Sequence, residues 1–107
     1  MDDFRIIYRI LKFLRDSMDF EEFDSDGFTA ERFKTNPNRF AALLVQLQDS
    51  GYIQGLTVKR YIRQEPFIKA PVAPKITLKG LEYLSENSMM KKAADFATGL
   101  VDHIPLP

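Results

Sequence analysis

The sequence predicts a small α+β domain in which three helices precede a β-hairpin and one or two helices follow it. Apolar residues recur at helical spacing in the first half of the 107-residue chain. Strand-forming residues are concentrated between Gly51 and Ala70, on either side of a turn at residues 63–66. Helical spacing resumes after Thr77. This order is that of a winged helix-turn-helix, in which the hairpin, or wing, lies beside the third helix.

The first helix is expected from Asp3 to Met18, because apolar residues recur there every three or four positions. Its principal stripe contains Phe4, Ile7, Leu11, Leu14 and Met18, widened by Ile6, Ile10 and Phe13. Asp3 adds negative charge to the first turn, where the helix dipole favours it. A short second helix is expected over residues 30–33, with the Thr29 hydroxyl as its N-cap.

The third helix has the clearest start, because Asn36 is a good N-cap and Pro37 fits the first helical turn. Gly51 is expected to end it in a left-handed conformation. Its buried face should contain Phe40, Leu43, Leu44 and Leu47. The residues left facing outward are Asn38, Arg39, Ala42, Val45, Gln46 and Asp49.

After the hairpin, Thr77 is expected to cap a helix that ends at a break near Asn87 and Ser88. We expect one domain over residues 1–107, of which residues 88–107 form a C-terminal helix and tail. The last helix carries an apolar stripe that could either cover the first helix or pair with its copy in a weak homodimer, and we expect the homodimer. The members of the stripe are Met90, Ala93, Ala97, Leu100 and Val101.

The composition favours a folded protein in a reducing compartment. The apolar fraction of 45% is sufficient for a core, and the absence of cysteine excludes disulfides and thiolate metal sites. No apolar run approaches the roughly 20 residues that span a bilayer, and the chain begins with acidic residues where a secretory signal would be basic. We therefore expect a cytoplasmic protein without a membrane partner.

The charges balance overall but are unevenly distributed. The chain has 15 basic and 15 acidic residues, a net charge of zero. Residues 1–35 contain six basic and nine acidic residues, a net charge of −3, whereas residues 53–80 contain six basic and one acidic, a net charge of +5. Such local asymmetry affects the choice of partner more than the total does. The positive region coincides with the predicted hairpin.

The sequence contains no catalytic constellation. His103 is the only histidine, and its neighbour Asp102 would point in another direction on a helix. Without cysteine, a second histidine or a glycine-rich phosphate loop, no recognised nucleophile or metal centre can be assembled. We therefore expect neither enzymatic activity nor a cofactor.

An acidic segment at residues 19–26 comes nearest to a metal-binding motif. The opening of an EF-hand calcium loop is matched by Glu22, Asp24, Asp26 and Gly27. That loop requires a bidentate Glu at its twelfth position, which is Phe33 in this chain. We interpret the segment as a solvated acidic loop that binds no metal, with Phe20 and Phe23 as candidate anchors.

The third helix and the hairpin together form the candidate nucleic-acid site. Its residues are Asn38, Arg39, Ala42 and Gln46 on the helix, and Lys59, Arg60, Arg63 and Lys69 on the hairpin. Asn, Gln and Arg side chains read base edges in a major groove, Ala contacts a thymine methyl, and basic residues contact phosphates. This pattern favours double-stranded DNA as the partner. The alternatives are an ordinary amphipathic helix and an edge hairpin kept soluble by its charge.

A second hypothesis is a protein-interaction module, such as a phage adaptor or an anti-host factor. Ala42 and Val45, both expected to be exposed on the third helix, favour it, as does the zero net charge. An exposed apolar patch of several hundred Å² on this surface would favour a protein partner. A continuous positive strip would favour DNA.

Two stretches of the chain carry a family resemblance. They are Gly51-Tyr52-Ile53, which closes a helix, and residues 76–84, Ile-Thr-Leu-Lys-Gly-Leu-Glu-Tyr-Leu, which follow the hairpin. They resemble the YjcQ family of small bacterial and prophage winged-helix proteins, from the first helix to about Ala93. Residues 18–35 and 57–75 look longer than in that family.

The resemblance implies a winged-helix fold and a phage or prophage setting, and the family brings no function that could be transferred. The Thr-x-Lys-Gly-x-x-Tyr-Leu pattern recurs in many winged-helix regulators, so it supports the fold more than the family. Combined with the candidate site, it suggests a transcription regulator of a phage or prophage.

Overall fold

The structure is a computed structural model that describes residues 3–97, with the side chains of residues 3–87. The helices are α1 (Asp3–Ser17), α2 (Pro37–Asp49) and α3 (Leu78–Ala97). The strands are β1 (Ile53–Gln54), β2 (Thr57–Lys59), β3 (Phe67–Lys69) and β4 (Lys75–Ile76). Strand β1 pairs with β4, and β2 pairs with β3, both antiparallel. The described part is therefore a small α+β protein with three helices and an interrupted hairpin.

Helices α1 and α2 confirm the first and the third of the helices that the sequence predicted. Helix α1 ends one residue before Met18. Helix α2 begins after Asn36, whose Oδ1 accepts a hydrogen bond of 2.8 Å from the Arg39 backbone N–H. Gly51 follows the C-cap with a φ of 87°, a left-handed conformation that glycine adopts without strain. Local capping chemistry therefore fixes the ends of α2.

Residues 30–33 form successive turns, so the prediction of a short helix here was wrong. The Thr29 hydroxyl does cap this segment, accepting a hydrogen bond of 3.3 Å from the backbone three residues further on. Lys34 then adopts a left-handed φ of 58°, and Thr35 N–H donates back to the Ala30 carbonyl at 3.0 Å. The segment is too short to propagate a helix beyond its costly first turn.

Helix α3 runs through the break that was predicted at Asn87 and Ser88. The Asn87 Nδ2 donates a hydrogen bond of 2.8 Å to the Tyr83 carbonyl one turn earlier, so the side chain remains compatible with a continuing helix. One helix therefore follows the hairpin within residues 3–97. The side chains of the apolar stripe proposed for a homodimer, and all of residues 98–107, lie outside the described part.

The hairpin consists of two short sheets, one of two residue pairs and one of three. It extends to Ile76, whereas the sequence predicted strands only as far as Ala70. Tyr61 and Ile62, expected in a strand, lie in the loop between β2 and β3. Lys75 and Ile76, directly after Pro74, form strand β4 and pair with β1. Gly55, with a φ of 97°, lies between β1 and β2, where the first arm changes direction.

The main core lies between the three helices and the inner hairpin strands. Its least exposed members are Ile6, Ile10, Leu11, Leu14, Leu44 and Ile53. Phe40 and Leu47 are buried as predicted, whereas Leu81 is only half-buried. Phe4 and Met18, predicted on the buried stripe of α1, are exposed because they occupy the two ends of the helix. The buried face of α1 is therefore centred on Ile6, Ile10 and Leu14.

Five phenylalanine rings form a second apolar centre. They are Phe13, Phe23, Phe28, Phe33 and Phe40, and the ring centroids of their contacting pairs lie 5.2–6.0 Å apart. This cluster joins residues 23–33 to α1 and to the first turn of α2. Phe23 is an anchor as predicted, but Phe20 is 72% exposed, so that part of the prediction was wrong.

The end of α2 meets the start of α3 in a compact junction. The Thr77 hydroxyl donates a hydrogen bond of 2.6 Å to the Gly51 carbonyl and accepts one of 3.1 Å from the Gly80 N–H. The Lys79 ammonium donates to the Ser50 carbonyl at 2.8 Å and lies 4.7 Å from the centre of the Tyr52 ring. These groups satisfy carbonyls that a helix end would otherwise leave without partners.

Gly80 permits this junction because there is no room for a side chain. A Cβ atom at this position would overlap the Tyr52 carbonyl oxygen and lie 2.6 Å from Ile76 Cγ1. A glycine within a helix costs about 1 kcal/mol relative to alanine. The close approach of α3 to the first hairpin arm therefore accounts for a glycine at this position.

We predict that Leu44→Ala lowers the free energy of unfolding by about 2–5 kcal/mol, because it leaves a cavity in the core. Leu44 is 1% exposed, whereas Leu78, at the start of α3, is 79% exposed. Chemical denaturation should therefore show a loss of less than about 0.5 kcal/mol for the control variant Leu78→Ala. Equal losses in the two variants would contradict the core described above.

We also predict that Gly80→Ala destabilises the protein, by up to about 2 kcal/mol. Overpacking costs about 1–3 kcal/mol, of which the better helix propensity of alanine returns about 1 kcal/mol. Ser85→Ala, at an exposed position of the same helix, should change stability by no more than about 0.5 kcal/mol. Thermal unfolding measures both variants, and an increase in stability for Gly80→Ala would refute the packing.

Candidate nucleic-acid interface

The outward face of α2 is an exposed polar strip. Asn38, Ala42 and Gln46 are exposed as predicted, and Asp49 lies at the C-terminal end of the strip. Spacings of three and four residues place these side chains along one side of a helix. We call Asn38, Ala42, Gln46 and Asp49 the outer strip.

Val45 does not belong to this strip, so its predicted exposure was wrong. It is 7% exposed. Gln48 and Asp49, three and four residues further on, both bond to the hairpin, and α2 contacts β3. Val45 therefore lies on the side of α2 that the hairpin covers. The pattern of α2 alone could not reveal this second buried face.

Gln48 fastens the hairpin to α2. Its side-chain amide donates a hydrogen bond of 2.9 Å to the Leu56 carbonyl, while its Oε1 accepts one of 2.8 Å from the Leu56 N–H. The side chain thus replaces the strand partner that Leu56 lacks between β1 and β2. Leu56 itself is 7% exposed, so this bend of the hairpin is held against the protein body.

A second link joins the hairpin to the outer strip. One guanidinium nitrogen of Arg60 donates to both carboxylate oxygens of Asp49, each at 2.9 Å. Both side chains are about half exposed, at 51% and 54%. Exposed ion pairs of this kind contribute about 0.2–1 kcal/mol. The pair therefore orients the hairpin and neutralises the one acidic residue of the outer strip, at a small gain in stability.

Arg39 is engaged by α1. Its Nη1 lies 2.6 Å from Asp3 Oδ1, and both side chains are about half exposed. Gln46, about two turns further along α2, borders a cleft between the three helices that also contains Ile7 and Leu43. Arg39 and Gln46 are both exposed, and they lie along the edge of the outward face that is nearest to α1.

Basic residues occupy the outer face of the β2–β3 hairpin. Opposite pairs in an antiparallel ladder share a face, so Thr57 with Lys69, and Lys59 with Phe67, lie on one side. All four are exposed. The other face carries Val58 and Ile68, which pack against the core.

Arg63 lies in the loop beyond β2 and is exposed. The structure thus brings together Lys59, Arg60, Arg63 and Lys69 on one hairpin, as the sequence predicted. Among residues 3–87, no ion pair forms at Lys59, Arg63 or Lys69.

The acidic segment is anchored on α1, because Phe23 and Phe28 hold it against Phe13. Within residues 3–87, no carboxylate of residues 19–26 forms an ion pair or a hydrogen bond with a residue of α2. The amides of the outer strip are therefore not bonded to the acidic segment.

Metal ligands are not gathered anywhere in the described residues. No group of three or more His, Asp or Glu side chains is arranged there to hold a metal ion. Phe33, at the position where an EF-hand requires a carboxylate, is buried in the phenylalanine cluster. Within the same residues, the helices include none that is long and apolar enough to cross a bilayer.

The described chain is thus a small α+β protein with an exposed helical strip beside a cationic hairpin. A family model described as YjcQ protein matches residues 8–102, and the chain therefore belongs to the YjcQ family. No curated protein and no solved structure matches it. The family resemblance expected from the junction residues is confirmed.

We predict that Gln48→Ala weakens the attachment of the hairpin. It leaves both polar backbone groups of Leu56 without their side-chain partner, which should cost about 1–3 kcal/mol of unfolding free energy. Amide hydrogen exchange should accelerate at Leu56. The control Gln46→Ala, at an exposed position two residues earlier, should leave that exchange rate unchanged. Equal protection of Leu56 in all three proteins would show that Gln48 does not hold the hairpin.

Proposed function

We propose that this chain is a winged-helix protein that binds double-stranded DNA. Helix α2 would be the recognition helix in the major groove, and the hairpin would be the wing on the adjacent backbone. The proposal rests on one observation above all: the Arg60–Asp49 pair joins the cationic hairpin to the outer strip of α2. Amides that can read bases and cations that can contact phosphates therefore belong to one surface.

The chemistry of the outer strip supports this assignment. Asn38 and Gln46 carry amides that can pair with adenine, and Ala42 is small enough to contact a thymine methyl group. The 13 residues of α2 make a rod about 20 Å long, and a major groove about 12 Å wide admits a helix. The strip therefore has the shape and the groups for direct readout.

The paired arginines can still contribute to this function. Arg39 and Arg60 are bound to carboxylates of the same chain through half-exposed ion pairs. Such pairs are weak, so an arginine that is released from its carboxylate can bind a phosphate instead. We assign Lys59, Arg63 and Lys69 to phosphate contacts in the wild-type protein, and Arg60 to a fourth contact that forms only when it is released from Asp49.

We also propose a biological role, which rests on the family resemblance. The resemblance to prophage winged-helix proteins, together with a DNA-binding surface, points to a transcription regulator of a phage or prophage in the cytoplasm. No catalytic function is proposed.

A protein-interaction module is the second candidate. The burial of Val45 removes one of the two apolar residues that favoured it, and Ala42 remains exposed. The observation in its favour is the apolar end of the hairpin, where Tyr61, Ile62 and Phe67 are exposed. A protein partner would bury these side chains without any dependence on DNA.

A salt series with a 30-base-pair DNA duplex tests the proposal. Three free cations predict a slope of log affinity against log salt of about −3, since each phosphate contact contributes about −0.9. Lys59→Gln should flatten the slope by about one unit. The control Lys12→Gln removes an exposed lysine of α1 and should leave the slope unchanged.

The same titration tests the Arg60–Asp49 pair. Asp49→Asn releases Arg60 for a fourth phosphate, so the slope should steepen by about one unit. Gln46→Ala should change the preference between duplexes and leave the slope as it is. If the wild-type protein does not bind at low salt, the DNA proposal fails and the protein-interaction module takes its place.

A further inference from the structure

The hairpin ends in a tight, closed turn. The Gln64 N–H donates a hydrogen bond of 3.2 Å to the Tyr61 carbonyl, which makes Ile62 and Arg63 the two corner residues. Arg63 has a φ of 65°, in the left-handed region that residues with a side chain seldom adopt. Glycine would form this corner without strain. Strained residues of this kind are concentrated at functional sites, so the arginine here calls for an explanation.

An aromatic pair supports the turn from below. The rings of Tyr61 and Phe67 are stacked, with centroids 5.8 Å apart and an interplanar angle of 21°. They join the two sides of the loop just beneath the corner residues. The stacked rings therefore hold the end of the hairpin, residues 61–67, in one conformation. We call this end the prong.

Ile62 is 90% exposed, more than the other large apolar side chains of this prong, Tyr61 and Phe67. Single exposed apolar residues are ordinary on protein surfaces, so its exposure alone indicates nothing. Here, however, it projects from a braced turn beside Arg63, at the end of a hairpin that also carries Lys59 and Lys69. An apolar tip with cationic residues beside it is chemically complementary to a polyanion that has an apolar interior.

We infer that Ile62 is a wedge that enters the minor groove of DNA and partly separates two stacked base pairs. The inference rests on the proposed DNA-binding function and adds that binding bends the duplex. Apolar side chains inserted between base steps from the minor groove kink DNA by about 20–90°. Arg63, beside the wedge, would lie where a narrow minor groove concentrates negative potential.

The position of the prong fits this groove. Arg60 bonds to Asp49 on the outer strip, and Ile62 follows Arg60 by two residues, at most about 7 Å along the chain. With α2 in the major groove, the corner of the turn would lie beside the phosphate backbone that separates this groove from the adjacent minor groove. A corner of two residues is narrow enough for a groove about 6 Å wide.

Bending of the DNA duplex is the property that should respond most strongly to the removal of Ile62. Separating a base step costs about as much as burying an isoleucine side chain returns, so affinity for an intact duplex should change little when Ile62 is removed. A duplex with a central mismatch has already lost part of its stacking. The wild-type protein should bind this duplex about tenfold more tightly than the intact one, and Ile62→Ala should lose that preference.

The experiment uses a 30-base-pair A·T-rich duplex with a central TA step and a fluorophore at each end. We expect the wild-type protein to increase energy transfer by bending the duplex, and Ile62→Ala to bind with the same salt slope but without the increase. Met18→Ala, which removes an exposed apolar side chain beside the acidic segment, should bend the duplex like the wild type. Chemical denaturation should give equal stabilities for the three proteins.

The outcomes separate the wedge from the proposed function. Binding without bending, or equal bending by the wild type and Ile62→Ala, overturns the wedge and leaves DNA binding intact. No binding to any duplex at low salt overturns both. Binding to vesicles of phosphatidylglycerol and phosphatidylcholine that is lost in Ile62→Ala, without binding to DNA, also overturns both and assigns the prong to an anionic membrane surface.

Discussion

The position of the hairpin depends on how α2 ends and α3 begins. The Thr77 hydroxyl bonds to the Gly51 carbonyl just beyond α2 and to the Gly80 N–H in α3. The Lys79 ammonium bonds to the Ser50 carbonyl, and Gly80 lets α3 approach Tyr52 and Ile76 closely. The first arm of the hairpin leaves this junction at Tyr52, and the second returns to it at Ile76. Both arms are therefore fixed at the junction, and this fixes the hairpin beside α2. The residues that carry the family resemblance are, in this structure, the residues of that junction.

Helix ends that depend on local capping were predictable from the sequence, whereas the short helix over residues 30–33 and the break at Asn87 and Ser88 were predicted wrongly. The caps at Asn36, Gly51 and Thr77, and the spacing of buried residues in α2, gave the correct helix positions. Contacts between distant residues were not predictable, because a single pair leaves no periodic signal. The pairs Gln48–Leu56, Asp49–Arg60 and Asp3–Arg39 are separated by 8, 11 and 36 positions. Val45 was misassigned for the same reason, since a second element covers it.

The candidate site was predictable as a set of residues but not as an arrangement. Lys59, Arg63 and Lys69 lie exposed on one hairpin, whereas Arg39 and Arg60 are held by carboxylates. Their ion pairs give these two arginines a structural role, although both side chains lie on the surface. The phenylalanine cluster has a comparable effect on the acidic segment, because it fixes Phe23 and Phe28 on Phe13 of α1.

The two faces of the β2–β3 hairpin have a consequence for how such a protein can evolve. Val58 and Ile68 point to the core, while Lys59 and Lys69, each adjacent in sequence to one of them, point to solvent. Substitutions at Lys59 and Lys69 therefore leave the core packing unchanged. Phe67, on the same face, stacks on Tyr61, and folding constrains it together with the inner positions and the helix junction. A lineage with this scaffold can exchange one partner for another by accumulating surface substitutions one at a time, each step passing through a fully folded protein.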